Sequence, residues 1–544
     1  MKKRCLLVLI IAATVLPQIA NASVDPDKIQ GPSIDELYMV VIKDPDARAL
    51  ALEKGEVDLV GDIASPAIID RLSKADDRIS MSMAKSFHAL SMGMNLRRNP
   101  WNRVELRRAI NTIIPRGRLV RELFGGFSEP LYSYLPPVSP YHDPETSQPK
   151  YDREKAREML RASGWSWNDE GVLIPPESSE PLKPVSIISP TANSAPTTAE
   201  LASRIADEMT ALGTPTKAEP MDFSTMLARL DARNFDCYIM AWSLTRDPDV
   251  LYSLYHSSMD VPGGYNLPGV RSSILDEALE RLRYAPDEES AMAAAHQSQK
   301  LLSDLVPVVP IYSRSSVGAV GKGWSGTVAT AATSVDSIWT LLSAHRDGHD
   351  RFKMALEDDP RALNPFTSSS ATAWKVLGLI YDSLIEIDPT TLGDRPGLAE
   401  SWKVETVTID GGEVTRITFK LKEGLLWQDG SPLTSSDPAE TIRYIAENEI
   451  PRFFDNVSDL MAVETPDEST LTVTMDSISY WHFHHIAGLP VLPAKVLREI
   501  DDWKSWQPME DGGLIGSGPF ILKDYRPGEF VRFSSNKHYR RYRR

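Results

Sequence analysis

The sequence is poor in cysteine and has no net positive charge, and both features limit what the protein can be. Two cysteines occur among 544 residues, and 59 Lys and Arg stand against 75 Asp and Glu, a formal net charge of −16. Nucleic-acid binding needs many cationic contacts to phosphates, so this balance argues against a nucleic-acid partner. The basic ending NKHYRRYRR, residues 536–544, does not reverse it.

Long apolar runs are also missing outside the first 22 residues. A basic start at Lys2, an apolar run from Cys5 to Leu16 and a small-residue ending at Ala22 are typical of a secretory signal peptide. We therefore expect cleavage near Ala22 and a mature protein that is exported, periplasmic or extracellular. Cys5 leaves with that segment and Cys237 remains alone, so no internal disulfide is expected.

Helix and strand signals interleave along the rest of the chain. Asp152 precedes an amphipathic run that ends before Gly164, and Asp437 precedes Pro438 in a pattern that predicts an N-capped helix. Residues 410–412, Asp-Gly-Gly, separate two alternating runs and predict the turn of a β-hairpin. This interleaving favours an α/β fold over an all-α or all-β fold.

Several segments together carry a resemblance to a known family. Among them are GPSIDELYMVVIKDPDARALALEKGEVDLV (31–60), PRALNPFTSSSATAWKVLGLIYDSLI (360–385), GLAESWKVE to TFKLKEGLLWQDGSPLTSSD (397–437) and GSGPFILKDYRPGEFVRFSSNKHY (516–539). They resemble the extracytoplasmic solute-binding proteins of family 5, which feed peptide and nickel ABC transporters. The resemblance covers nearly the whole mature chain.

The order of these segments differs from that of the family. The usual C-terminal half comes first, from Gly31 to Leu342, and the usual N-terminal half follows, from Phe352 to Tyr539. The order predicts a circular permutation, with the family's usual ends joined through residues 343–351 and new ends in a surface loop. A fragment of a tandem duplication or a misassembled gene is the rival interpretation.

The resemblance implies two α/β lobes of the periplasmic-binding-protein type and a third, smaller β-rich subdomain. Residues 1–22 are the predicted signal peptide. The expected division assigns lobe I to residues 31–90, 312–342, 352–399 and 485–544, lobe II to 91–311, the linker to 343–351 and the β-rich subdomain to 400–484.

The resemblance also implies a function. It implies capture of oligopeptides or dipeptides outside the cytoplasmic membrane and their delivery to the permease of an ABC importer, by a monomer. The motifs G-x-S-x-G, H-E-x-x-H and G-x-x-x-x-G-K-[ST] are absent. With the resemblance, this leads us to expect no enzymatic activity and no cofactor. The alternatives are a binder of nickel, a metal chelate or another small solute on the same fold, and a sensor without a transport role.

The segment MAWSLTRDPDVLY, residues 240–252, supplies the first candidate ligand contacts. In peptide-binding relatives a tryptophan here lines the cleft, which Trp242 matches, and an aspartate three residues later holds the α-ammonium of the peptide. Thr245 occupies that position, so Asp247 is the candidate for the amine and Arg246 for an anionic group. The alternative is that Asp247 only starts a turn or helix.

Further candidates follow from matched position alone. Asn364, Thr367 and Trp374 lie on the segment whose relatives face the ligand, and Tyr312 and Arg314 lie where the chain crosses between lobes. Arg314 is suited to a bidentate pair with a carboxylate. For each of these residues, a purely structural role is as plausible an interpretation as a ligand contact.

The histidines of YWHFHH, residues 480–485, permit a metal interpretation. His482 and His485 are three residues apart and share a helix face, but no nearby ligand completes a metal site. An aromatic-rich helix that packs on a sheet, with His484 in solvent, is the favoured interpretation. We therefore expect no metal site.

Overall fold

The computed structural model describes residues 25–75, 77–193, 195–368 and 370–542. The predicted signal peptide lies outside these residues. None of the helices in the described part of the chain is both long enough and apolar enough for a membrane span.

The strands, in chain order, are as follows. They are β1 (Glu36–Val41), β2 (Leu59–Val60), β3 (Ile79–Ala84), β4 (His88–Met94), β5 (Ser128–Pro130), β6 (Ser166–Trp167), β7 (Leu173–Ile174), β8 (Val185–Pro190), β9 (Thr216–Met221), β10 (Cys237–Ser243), β11 (Val308–Arg314), β12 (Ser316–Gly321), β13 (Arg351–Leu356), β14 (Ile385–Ile387), β15 (Asp394–Pro396), β16 (Ala399–Ile409), β17 (Gly412–Leu421), β18 (Leu460–Asp467), β19 (Thr470–Met475), β20 (Phe520–Arg526) and β21 (Phe530–Ser535).

The α-helices lie between these strands. They are α1 (Pro45–Glu53), α2 (Pro66–Ser73), α3 (Val104–Thr112), α4 (Arg116–Phe124), α5 (Arg153–Ala162), α6 (Pro196–Leu212), α7 (Phe223–Asp231), α8 (Val250–Tyr255), α9 (Ser273–Arg283), α10 (Glu288–Leu305), α11 (Ile338–Ser343), α12 (Ala371–Leu377), α13 (Ser436–Glu447), α14 (Phe454–Val457), α15 (Trp481–Ala487) and α16 (Ala494–Leu497).

Three large sheets organise the molecule. A seven-stranded sheet of order β20-β21-β1-β13-β2-β12-β3 forms the body that we call lobe I. A six-stranded sheet of order β5-β11-β4-β10-β8-β9 forms lobe II, and a four-stranded sheet of order β16-β17-β19-β18 forms the β-rich subdomain. The predicted α/β fold with two lobes and a smaller β-rich subdomain is confirmed.

Two short crossings join lobe I to lobe II. The chain enters lobe II through residues 85–87, between β3 and β4, and returns through Ser315, between β11 and β12. The Ser86 hydroxyl donates to the carbonyl oxygen of Arg314, and the Ser313 hydroxyl donates to the carbonyl oxygen of Ser86 at 3.4 Å. These bonds tie the crossings together, so lobe II is one excursion from lobe I with both connections at one place.

The hydrophobic cores follow this division. Lobe I and the β-rich subdomain share one core, in which Phe352 of the first and Phe419 of the second are both fully buried. A core of lobe II that contains Leu279 and Leu282 includes one residue from outside that lobe, Trp481 of α15. The helix α15 therefore belongs to the contact between the bodies.

One of the two predicted helix caps is present in the structure and the other is not. Asp152 caps α5, and its carboxylate accepts from the Lys155 amide, as predicted. The prediction of Asp437 as the N-cap is wrong, because Ser435 is the N-cap of α13 and Asp437 is the second residue of the helix. The Asp437 carboxylate instead accepts from the amides of Thr434 and Ala494, so it ties α13 to the start of α16.

Arg540 and Arg541, near the end of the described chain, form ion pairs within the protein. Arg540 binds Asp382 at 3.0 Å and Glu386 at 2.6 Å, and the Arg541 guanidinium also donates to Glu386. The Gly31 amide donates to the carbonyl oxygen of Arg541 at 3.0 Å. Residues near both ends of the described chain thus lie side by side, and this basic cluster is folded into lobe I.

We predict that Tyr539→Ala destabilises the protein by about 3 kcal/mol, because a large buried ring is removed. Tyr539 packs with Ile29, Trp339 and Leu342, which come from distant parts of the sequence. Urea denaturation followed by circular dichroism measures the change. Tyr284→Ala is the control, since that side chain is half exposed, and an equal loss in both variants would contradict the packing described here.

Candidate functional site

A cavity of about 680 Å³ lies in lobe I, where Arg246 of lobe II reaches its wall, and we call it the central cavity. Most of its lining comes from lobe I, and Phe87 and Arg246 face it from the crossing and from lobe II. Its other lining residues include Thr330, Asp336, Trp339, Trp374, Leu377, Tyr381, Leu392, Pro490 and Tyr539. The wall is largely apolar with a few charged groups, which is the usual character of a ligand pocket.

Four charged side chains form a closed ring beside the central cavity, and we call it the charge ring. Arg246 donates to Asp394 at 2.6 Å and to Asp247 at 3.2 Å. His484 approaches Asp247 at 3.0 Å through Nδ1 and Asp394 at 2.9 Å through Nε2. Each cationic residue therefore contacts both carboxylates, and charges alternate around the ring.

The charge ring joins separate parts of the fold. Arg246 and Asp247 lie on the loop between β10 and α8 of lobe II, Asp394 begins β15, and His484 lies on α15. Arg246 also donates to the carbonyl oxygen of Leu392 at 3.2 Å. The loop of lobe II is thereby fixed to the β14–β15 hairpin and to α15.

Burial and ion pairing have opposite effects on the pKa values of His484, Asp247 and Asp394 in the charge ring. Burial disfavours a charge on His484, whose side chain is 3% exposed, but hydrogen bonds to Asp247 and Asp394 outweigh burial and raise its pKa. Burial works to raise the pKa of both aspartates, yet His484 and Arg246 lower it. The arrangement favours four charged groups with no net charge.

The sequence predicted eight ligand contacts, and two of them, Arg246 and Trp374, line the central cavity. The Trp374 indole nitrogen donates to the carbonyl oxygen of Ser368 at 2.9 Å, and the Arg452 guanidinium lies 4.4 Å from the ring centre. Trp374 is thus held in a fixed orientation at the cavity wall.

Trp242 and Asp247 lie near this cavity without being part of its lining. Trp242 is the last residue but one of β10 and meets the Tyr265 ring edge-on at 5.8 Å between centres. The Asp247 carboxylate is occupied by Arg246 and His484. In this conformation Asp247 is paired within the protein.

Tyr312 and Arg314 line a different cavity, of about 310 Å³, at the crossing strands. The Tyr312 ring centre lies 4.2 Å from that of Phe124, and burial raises the pKa of Tyr312 to about 12. Arg314 pairs with Asp62 of lobe I at 2.8 Å. Arg314 therefore makes a contact between the lobes.

Asn364 and Thr367 lie outside the central cavity. The Asn364 side-chain amide donates to the carbonyl oxygens of Trp503 and Trp506, at 2.8 and 3.0 Å, and is buried. Thr367 is exposed. Asn364 thus fastens one loop to another.

The expectation of a solvated His484 is wrong, since its side chain is 3% exposed and its two ring nitrogens contact the carboxylates of Asp247 and Asp394. His482 and His485 line another cavity, of about 410 Å³, together with Asp249 and Asp459. No group of three or more His, Cys, Asp or Glu side chains in the described residues is arranged to hold a metal ion.

Sequence reasoning missed Asp336, Asp394 and His484 as site residues. Asp336 lines the central cavity with its carboxylate 3.6 Å from the Lys375 ammonium, and burial raises its pKa. Asp336 and Asp394 belong to no motif, and His484 lies in the YWHFHH segment that was assigned to helix packing. The one signal in the sequence for a charged site here is the adjacent pair Arg246-Asp247 after an apolar strand.

Comparison with known proteins gives matches to a family model, to curated relatives and to solved structures. The model of the family "Bacterial extracellular solute-binding proteins, family 5 Middle" matches residues 25–261 and 395–544. The chain is 23% identical over 288 residues to di/tripeptide-binding protein 1 of Pseudomonas aeruginosa, which covers 53% of this chain and 50% of that protein. It is 21% identical over 301 residues to the oligopeptide-binding protein AppA of Bacillus subtilis, which covers 54% of each.

The chain spans about half the length of the curated relatives it matches. Among solved structures, NikZ from Campylobacter jejuni in complex with Ni(L-His) aligns with a TM-score of 0.46 and 19% identity. That alignment covers 54% of this chain and 57% of the other.

We predict that Asn364→Ala destabilises the protein by about 2 kcal/mol, because a buried carbonyl oxygen of Trp506 and a partly buried one of Trp503 lose their donor. Thr367→Ala is the matched control on the same segment and is expected to change stability by less than about 0.5 kcal/mol. Chemical denaturation of both variants measures the difference. Equal stabilities would contradict a structural role for Asn364.

We predict a loss of stability in acid that depends on His88. Burial and then the Arg314 charge lower the pKa of His88 from 6.5 to about 4, and its Nδ1 accepts from the Arg314 amide at 3.3 Å. The unfolded chain therefore takes up a proton near pH 6.5 that the folded chain resists, and stability falls as the pH drops from 6.5 to about 4.

In His88→Gln this acid loss should shrink by about 3 kcal/mol, since 2.5 pH units correspond to about that free energy. Denaturation midpoints at pH 7, 5.5 and 4.5 measure it. His345→Gln, at an exposed histidine, is the control and should follow the wild type. A pH profile unchanged in His88→Gln would refute the assignment.

Proposed function

Because the chain belongs to the bacterial extracellular solute-binding proteins of family 5, we propose that it captures peptides outside the cytoplasmic membrane and delivers them to the permease of an ABC importer. It acts by binding and not by catalysis. The observation that carries the proposal is the central cavity, a pocket of lobe I that Arg246 of lobe II and Phe87 of a crossing also line, in a chain of this family. Its volume, about 680 Å³, lies within the range of about 300–1,000 Å³ that small-ligand pockets occupy.

The relatives favour peptides as the ligand class. One is a di/tripeptide-binding protein and another an oligopeptide-binding protein. The site offers groups for a peptide backbone, because the Nη2 atom of Arg246 makes no hydrogen bond within the described residues and the Asp336 side chain lines the same cavity. We propose that Arg246 donates to a ligand carbonyl or carboxylate and that Trp374 packs on the ligand.

Capture then proceeds by lobe closure about the crossings at residues 85–87 and Ser315. Contacts from both lobes favour the closed form, and the closed form docks on the permease. The protein acts as a monomer in this proposal, with no nucleic-acid partner.

We further propose that the chain is a circular permutant of the family. The adjacency of Gly31 and Arg541 supports this interpretation, as does the antiparallel pairing of β1 with β21. In the family's usual order these segments follow one another. Residues 343–351, which connect α11 to β13, then join the ends that are free in relatives.

The function is tested by identifying what the purified protein carries. Mass spectrometry of the small molecules released on denaturation should show peptides of a narrow length range, and titration calorimetry with di-, tri- and longer peptides should show binding. Trp374→Ala should raise Kd about tenfold, a loss of ~1.4 kcal/mol. Trp503→Ala removes an indole outside the central cavity and should leave Kd unchanged.

Two results would overturn the proposal. One is the absence of both released peptides and any heat of peptide binding. The other is release of a metal chelate, or of an anionic solute without an amine, which would favour the small-solute alternative on the same fold.

A further inference from the structure

The short helix α15 is anchored in both bodies of the protein. At its start, Trp481 is almost fully buried in a core of lobe II, and its indole nitrogen donates to the carbonyl oxygen of Leu282 at 2.7 Å. At its end, Ile486 and Ala487 belong to the core that lobe I shares with the β-rich subdomain. His484 therefore lies on the helix that bridges the two bodies.

The charge ring spans the same boundary. One carboxylate, Asp247, comes from lobe II, and the other, Asp394, comes from the β14–β15 hairpin on the side of lobe I. His484 and Arg246 each contact both carboxylates, at 2.6 to 3.2 Å. Separation of the lobes breaks at least two of these four contacts.

With both carboxylates ionised, a protonated His484 is needed for both ring nitrogens to donate. A neutral imidazole carries one N–H, so it donates to one carboxylate and turns a lone pair towards the other. The two His484 nitrogens lie 3.0 and 2.9 Å from oxygens of different aspartates. The imidazolium donates to both and balances the ring at two positive and two negative charges, whereas the neutral form leaves one buried negative charge uncompensated.

The remaining charged and titratable groups around His484 do not replace it. On its own segment, Tyr480 stands edge-on at 5.0 Å and keeps its proton, because burial raises its pKa. Burial lowers the pKa of His485 and leaves it neutral. From lobe II, the groups whose charges act on Tyr480, His485 or the ring are Tyr141, Asp249, Arg283 and Glu288.

We propose that the charge ring is a proton-operated latch: protonated His484 holds lobe II against lobe I and α15, and neutral His484 loosens that contact. The proposal rests on the proposed function in one respect, that the lobes open and close around a ligand. Because pairing raises the pKa of His484 in the closed form, the latch is fully formed below the usual pKa of histidine and is lost as the pH rises through the raised value. Acid therefore favours closure.

The test measures closure directly and without a ligand. Spin labels are attached to Lys54→Cys on lobe I and Lys217→Cys on lobe II, both at exposed positions, in the chain from Ser23 onward, where Cys237 is the one other thiol and is buried. Pulsed electron–electron resonance gives the distance distribution at pH 5.5 and pH 8.5. We expect the closed-to-open ratio to fall by about threefold or more between these pH values.

In His484→Gln this pH response should be lost, because glutamine carries no charge. His538→Gln, at an exposed histidine of lobe I, should keep it. Asp394→Asn provides a second test if His484→Gln does not fold, and it should also abolish the response.

Identical distributions in the wild type at both pH values would overturn the latch, as would a response that persists in His484→Gln or, if that variant does not fold, in Asp394→Asn. Since no ligand is present, a negative peptide-binding result leaves this measurement unaffected.

Discussion

The pairing of β1 with strands far away in the sequence is the constraint on which the rest of the molecule depends. β1 lies between β13, its parallel neighbour, and β21, its antiparallel neighbour. Glu36 and Arg351, which are paired in register and joined by an ion pair, are 315 positions apart. This sheet fixes lobe I and holds the two crossings to lobe II at one edge.

Charge is used inside this molecule mainly to connect its parts. Arg540 holds Asp382 and Glu386, Arg314 reaches across to Asp62, and the charge ring joins lobe II to α15. Such pairs add little net stability, because desolvation offsets much of the attraction, but an unmatched partner is costly. These ion pairs therefore have a larger effect on the relative arrangement of the lobes than on the stability of each lobe.

Much of the fold could be predicted from the sequence, because its signals are local or carried by family resemblance. The cap at Asp152 depends on a few neighbouring residues, and the two-lobed architecture follows from the matched segments. The site was harder to predict. Asn364 matched a ligand-facing position but binds backbone carbonyls of another loop, and His484 was expected in solvent because its partners lie 237 and 90 positions away. Periodicity and spacing carry no information on such partners.

The single excursion that forms lobe II has a consequence for the order of folding. Its strands and helices all fall between β4 and β11, so lobe II acquires nearly all of its contacts within one continuous stretch of chain, with Trp481 of α15 added to one core. The central sheet of lobe I, by contrast, needs β1 together with β21, the first and the last strands of the described chain. Prior collapse of lobe II shortens the effective loop between β3 and β12 and lowers the entropic cost of closing it. Lobe II is thereby the natural early-folding unit, and the sheet that defines the cleft is completed last.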